Sequence, residues 1–307
     1  MKKFLPTLIS LLTLGVLVGC GPKPEPSVSD DPTPSTEPTP DTEVPPIEEP
    51  VSPTWELTLA EPYTGDYWDE ALNNDLEGEE LRAHLKAFMD SKIHRITYNQ
   101  CQAALDEMDR DPRNPKNIIS LYDLNSIPKT ERNIRFNREH TFPQSKLADG
   151  DDNLRAKPNT ANISSDVANL FYCDANLNEG RSNYSYWGLG VKEKYYKYCL
   201  RNTYGTLTDS FVYQGKYSPT PKVRGEIARA QLYMVVMYPE RCGINENFDI
   251  VTMLQWNLEH PATVERDLQR QAGLEKYQNL RNPFIDHPEI GCRIFGYLDP
   301  EGHACGK

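Results

Sequence analysis

Residues 137–145 read Asn137-Arg138-Glu139-His140-Thr141-Phe142-Pro143-Gln144-Ser145. The run Arg135 to His140 suits a strand, and Pro143 stops it, because proline has no backbone donor for a ladder. Adjacent side chains in a strand point to opposite faces. A carboxylate beside an imidazole therefore serves one site only where the strand breaks and the alternation relaxes. Pro143 supplies such a break. A Glu-His pair is uninformative alone, since Glu259-His260-Pro261 is a second copy in the same chain. HExxH is absent, which removes support for a zinc metalloprotease.

Outward from this stretch, the pattern is mixed. Apolar residues at 76, 81, 85, 88 and 89 predict a helix over Leu76–Met89, with Asp75 as N-cap and Glu77, Glu79 and Glu80 in the first turns. A second helix is expected over Thr97–Met108, ended by the Asp-Pro and Asn-Pro breakers at 111–115. Asn117–Tyr122 reads as a strand, Asp149–Asn162 as polar turns, and Asp166–Leu170 as a short helix. Val223–Tyr238 is expected to be an amphipathic helix with Ile227, Leu232, Val235 and Val236 on its apolar face. The fold class is α+β, with a largely helical periphery.

Downstream of Glu139-His140 stand Asp166, Asn169 and Leu170, then Asn178-Glu179-Gly180-Arg181-Ser182-Asn183-Tyr184. With the first stretch, these match an N-x-E-H-x-x-P-x-S, D-x-x-N-L and N-x-x-R-S-N series in order and at compatible spacing. Weaker matches are Arg224 to Arg229, Leu232 to Met234, Trp256-Asn257 and Asn282 to Phe284. Over residues 75–285 the chain resembles the bacterial endonuclease I family, which includes periplasmic and secreted DNases and some extracellular RNases. The resemblance implies a ββα-metal (His-Me finger) core. It makes His140 the general base, with Glu139 and Asn178 holding a divalent metal.

The chemistry suits those residue types independently. Imidazole is the side chain whose ordinary pKa fits deprotonation of water near neutral pH. Mg²⁺ takes oxygen ligands and keeps several waters, so one carboxylate and one amide oxygen suffice; Mn²⁺ or Ca²⁺ are substitutes. Arg181, one helical turn after Asn178, either contacts a phosphate or braces the motif. A further cation is expected for the charged transition state, with Arg155 and Lys157 the nearest candidates. Asp166 and Asn169 are expected to support the site rather than ligate. The family often has His in its second motif where this chain has Ala168.

The ends define the compartment. Lys2 and Lys3 precede an apolar stretch, Leu8 to Val18, too short for a stop-transfer helix, which closes on Leu17-Val18-Gly19-Cys20. This resembles a bacterial lipobox and implies a signal over residues 1–20 and acylation of Cys20, which anchors the chain to the membrane without spanning it. Residues 21–54 hold eleven prolines and eight acidic side chains, a composition expected to stay extended as a tether. Residues 55–307 then form one nuclease domain. Six further cysteines (101, 173, 199, 242, 292 and 305) permit disulfides in an exported protein, Cys173 among them as a disulfide half. No CxxC spacing points to structural zinc.

The chain carries a net charge of −12, which argues against a nucleic-acid enzyme until it is divided. Residues 1–54 and 55–100 account for −5 and −6, whereas Arg110 to Arg229 holds 19 basic against 13 acidic residues. A locally basic face can bind phosphates on an acidic protein. No helix-turn-helix or zinc-finger signature appears. The expectation is a metal-dependent endonuclease with little sequence preference, acting on DNA or RNA and leaving 5′-phosphates. The rivals are a catalytically inactive nucleic-acid-binding lipoprotein and a small-nucleotide phosphodiesterase. No protein partner is implied.

Overall fold

The structure is a computed structural model and describes residues 47–296. The export signal, Cys20, the tether up to residue 46 and Cys305 lie outside the described residues. Those described belong to one unit, Pro46–Lys307.

Helices α1 (Asp69–Leu72), α2 (Gly78–Lys92) and α3 (Cys101–Met108) come first. α2 buries Leu81, Leu85, Phe88 and Met89, the stripe that the three-and-four spacing requires. Its N-cap is Glu77, not Asp75, and Glu77 makes no side-chain capping bond. Asn74 Oδ1 instead accepts from Leu76 N and turns the chain there. α3 starts at Cys101 rather than Thr97 because Thr97 N and Oγ1 both donate to Gln100 Oε1, closing a turn ahead of the helix.

Strands β1 (Arg110–Asp111), β2 (Asn114–Ile119) and β3 (Ser126–Pro128) form an antiparallel sheet in that order. β2 begins and ends three residues earlier than expected. Leu124 N bonds back to Ser120 O, so the chain turns before Tyr122. β4 (Phe136–His140) leads to helix α4 (Gln144–Ala148), β5 (Leu170–Asp174) and helix α5 (Ala175–Arg181). β4 and β5 are an antiparallel pair in which Glu139 faces Phe171 and His140 faces Leu170. The helix expected at 166–170 is a turn instead. Asp166 Oδ1 accepts from Ala168 N, a local bond that competes with helix.

Strands β6 (Ser185–Tyr186), β7 (Cys199–Arg201), β8 (Leu207–Tyr213) and β9 (Lys216–Ser218) build a sheet of order β6-β9-β8-β7. It packs against α5 closely: a Cβ on Gly180 would lie 2.7 Å from Leu200 Cδ1. Helices α6 (Arg224–Met237), α7 (Ile250–Glu259), α8 (Gln269–Gln278), α9 (Pro283–Asp286) and α10 (Ile290–Phe295) complete the described chain.

α6 is not the amphipathic helix expected, because all its residues are buried. The charges that resembled a solvent face pair internally, Arg229 with Asp267 at 2.7 Å and Glu226 with Arg266 at 2.8 Å. The network continues through Arg270 to Asp109, whose carboxylate accepts from Tyr172 N at 2.7 Å. Arg270 also lies 3.5 Å over the Phe171 ring and donates to Leu170 O. Buried ions of this kind must be paired and fully bonded to persist. β5 is thereby locked to the central helix, and β4 through it.

The described end of the tether is seated on the domain. Val51 bridges Thr208, Ser52 Oγ donates to Asp209, and Glu48 pairs with Arg201. The disulfide expectation fails for four cysteines. Cys101, Cys173, Cys199 and Cys242 are free. Cys101, Cys173 and Cys199 sit on α3, β5 and β7 and Cys242 in the bend after α6; Cys101, Cys173 and Cys242 are buried as small apolar residues.

Candidate active site

Glu139 and His140 are the last two residues of β4, where the ladder ends. Asn178 and Arg181 lie on α5, immediately after β5. The ribbon and helix enclose a cleft of about 320 Å³ lined by Arg138, Glu139, His140, Asn178, Arg181 and the loop residue Asn183. Asp174 caps α5 through Asn176 N and Leu177 N, which sets the helix against the ribbon.

His140 is half-buried, and its Nε2 lies 2.9 Å from the backbone oxygen of Ser164. A carbonyl only accepts, so Nε2 carries the proton and the lone pair is on Nδ1. Burial lowers the His140 pKa to about 4, and the charges of Arg138 and Arg181 push the same way. The ring is held neutral, in one tautomer, at ordinary pH. Tyr98 stacks nearly parallel to it at 6.0 Å.

Glu139 is buried, with Oε1 fully engaged. It accepts from Tyr122 Oη at 2.7 Å and lies 3.2 Å from Arg181 Nη1. Both contacts fall on the same oxygen, and Glu139 also lines the cleft. Burial raises the Glu139 pKa despite Arg181 and Tyr122. Asn178 donates its amide nitrogen to Asn137 Oδ1 at 2.6 Å and to Arg138 O at 3.2 Å, so its oxygen is the atom left to offer. One carboxylate and one amide oxygen on a common cleft fit a hard divalent cation. A cation there would also offset the cost of ionising a buried carboxylate.

Arg181 is anchored within the fold. The side chain is 1% exposed, donates to His140 O, Thr141 O and Ser182 O, and rests 4.7 Å from the Tyr186 ring. The same side chain lines the cleft. Arg155 is not brought to the cleft. It is exposed, and its nearest acid is Asp152 at 3.8 Å; Lys157 pairs with Asp152 as well. Asn169 ties the segment after His140 through Thr141 Oγ1, Phe142 N and Phe142 O. Asp166 accepts from Tyr233 and Tyr238, two residues beyond the carbonyl that holds His140.

Four participants are not among the residues expected from the sequence. Arg138 lines the cleft, stacked 4.1 Å over Tyr98. Its signal is present, because residues 138 and 140 share a face of the strand. Tyr122 and Tyr186 bond one another at 2.7 Å beneath Glu139, and nothing local distinguishes them from core tyrosines. Ser164 acts through its backbone oxygen, which no residue type announces. The second Glu-His pair makes no site: Glu259 is exposed, and His260 O accepts from Arg229.

Comparison with known proteins gives three findings. A family model described as Endonuclease I matches residues 77–289. An extracellular ribonuclease of Bacillus amyloliquefaciens is 28% identical over 76% of this chain and 78% of its own, and one of Bacillus subtilis is 29% identical over 67% and 74%. A periplasmic deoxyribonuclease of Aeromonas hydrophila is 31% identical over 39% of this chain and 47% of its own.

Proposed function

The chain belongs to the endonuclease I family, a hydrolase acting as an endonuclease, and from that premise we propose His140 as its general base. The observation that carries this reading is the Nε2–Ser164 bond, which leaves Nδ1 as the unprotonated nitrogen of a ring that lines the cleft. Nδ1 takes the proton of an attacking water. Arg181 holds the His140 and Thr141 carbonyls and so fixes the ring's backbone. Arg138, which lines the cleft while donating to Tyr98 O, is our candidate for the cation that meets a phosphate oxygen. The β4–β5 ribbon followed by α5 supports a ββα-metal core.

Glu139 Oε2 and Asn178 Oδ1 would hold a divalent cation, Mg²⁺ or a substitute such as Mn²⁺ or Ca²⁺. When bound, such an ion supplies charge that polarises the phosphate and stabilises the leaving 3′ oxygen. The products would carry 5′-phosphates. Little sequence preference is expected, because phosphate contacts position a substrate without reading bases.

The ribonuclease relatives span far more of the chain than the deoxyribonuclease does, which supports RNA among the substrates. Their extracellular and periplasmic naming supports an extracytoplasmic location. The export signal at 1–20, acylation of Cys20, a tether beginning at residue 21 and a nuclease domain on which residues 48–52 are already seated complete the proposal. The test incubates the chain from residue 21 onward with plasmid DNA and with RNA, in Mg²⁺ and in EDTA. Cleavage that needs the ion supports the reading; binding of either polymer with no cleavage overturns it.

A further inference from the structure

Beyond the cleft, α5 leads directly into a surface that the proposed chemistry does not use. Asn183 lines the cleft, Tyr184 is 38% exposed, and Trp187 follows four residues after Asn183. At no more than about 3.6 Å per residue, Trp187 lies within about 14 Å of the cleft's edge. Trp187 stacks on Tyr213 at 6.1 Å with planes 11° apart, and Tyr198 meets Tyr213 at 5.0 Å. Tyr198 is itself 36% exposed.

Two exposed lysines sit over these rings, and a third sits over Tyr195, a buried ring that meets Tyr213 at 5.3 Å. Lys216 lies 5.6 Å from Trp187, Lys197 5.0 Å from Tyr198, and Lys194 4.8 Å from Tyr195. None of the three pairs with an acid among the described residues, although Lys194 and Lys197 share a cleft with Glu48 and Glu193. A row of partly exposed aromatic rings, bordered by ammonium groups unpaired among the described residues, is an arrangement that suits bases and phosphates together.

We propose that Trp187, Tyr213 and Tyr198, with Lys194, Lys197 and Lys216, form an exosite for a single nucleic-acid strand leaving the cleft. This rests on the nuclease reading and adds its substrate class: single-stranded polymer, held several nucleotides from the scissile bond. Stacking accepts any base, so the exosite adds affinity without sequence preference. A duplex keeps its bases inside and gains only from the lysines.

The test compares the wild-type chain with the combined Lys194→Ala, Lys197→Ala and Lys216→Ala variant, and separately with Trp187→Ala. Binding of oligo(U) in EDTA is followed by tryptophan fluorescence and by polarisation of a labelled strand. The triple variant should bind about ten-fold more weakly. Its slope of log affinity against log salt should fall by about 2, because each phosphate that a lysine neutralises on a single strand adds about 0.7. Trp187→Ala should weaken binding by about ten-fold with the salt slope unchanged. With Mg²⁺, the triple variant should show a higher KM on poly(U) but wild-type rates on bis-p-nitrophenyl phosphate.

Unchanged affinity and salt slope in the triple variant overturn the exosite, and so does equal weakening on oligo(U) and on a duplex of the same length in Trp187→Ala. Failure of the nuclease reading is separate: wild type would then cut neither polymer nor diester while the EDTA binding series still reports on this surface.

Discussion

His140 Nε2 donates to the backbone oxygen of Ser164 at 2.9 Å, so an atom without side-chain identity selects which ring nitrogen can accept a proton. Replacing His140 by Ala should reduce the cleavage rate by about 10²–10⁴, the usual contribution of a positioned base. Circular dichroism and oligonucleotide binding should match wild type. A near-normal rate would remove His140 from the role.

The acid limb of kcat/KM should lie far below that of a free imidazole. Burial brings the His140 pKa from 6.5 down to about 4, and the base works only when neutral. The neutral imidazole is therefore present above the folded pKa and lost as pH falls through about 4, and protonation of Glu139, whose pKa burial raises, adds to the loss of activity from higher pH. The linked effect on stability has the same sign. Between about pH 6.5 and 4 the unfolded chain binds a proton here that the folded chain does not, so stability declines as pH falls through that window. A pH–rate profile breaking near 6.5 would contradict this.

Removing a proposed ligand should act on metal demand before it acts on folding. Asn178→Ala should raise the Mg²⁺ concentration for half-maximal rate by about 10-fold or more, on the scale of losing one bond to a charged group. Glu139→Gln retains an acceptor for Tyr122 Oη and should show a larger shift, because it removes the charge. An unchanged Mg²⁺ titration in both variants would exclude these two residues as ligands.

Arg181→Ala should destabilise the protein by about 3–5 kcal/mol, since it strands a buried carboxylate. Arg181 and Glu139 are 1% and 4% exposed at the side chain, so solvent does not screen the pair. Urea unfolding measures this directly. If stability holds and only KM rises, Arg181 touches substrate and the bracing role is wrong.

Arg138 and Arg155 separate position from composition. Arg138→Ala should weaken cleavage by about ten-fold or more, because a phosphate oxygen then has no cation to meet it. Arg155→Ala, exposed and outside the cleft lining, should stay within about two-fold of wild type. Initial rates on one RNA substrate compare them; equal losses would place Arg155 at the site after all.

The sequence by itself determined the α+β class, the stripe on α2, the break of the strand at Glu139-His140 and the downstream Asn178–Arg181 turn. These are short-range properties: periodicity, a proline stop, and residues one helical turn apart. Tertiary structure decided the rest. α6 carries Arg224, Glu226 and Arg229 and reads as half-solvated, yet its counter-charges Asp267 and Arg266 arrive from some 40 residues later and bury it whole. Arg155 reads as placed for a phosphate because it is near in sequence, while Arg138 holds the cleft because strand pairing puts it there. Which nitrogen of His140 is basic depends on Ser164, 24 residues away through a backbone atom. Every chain position has a carbonyl oxygen, so only the folded path selects one.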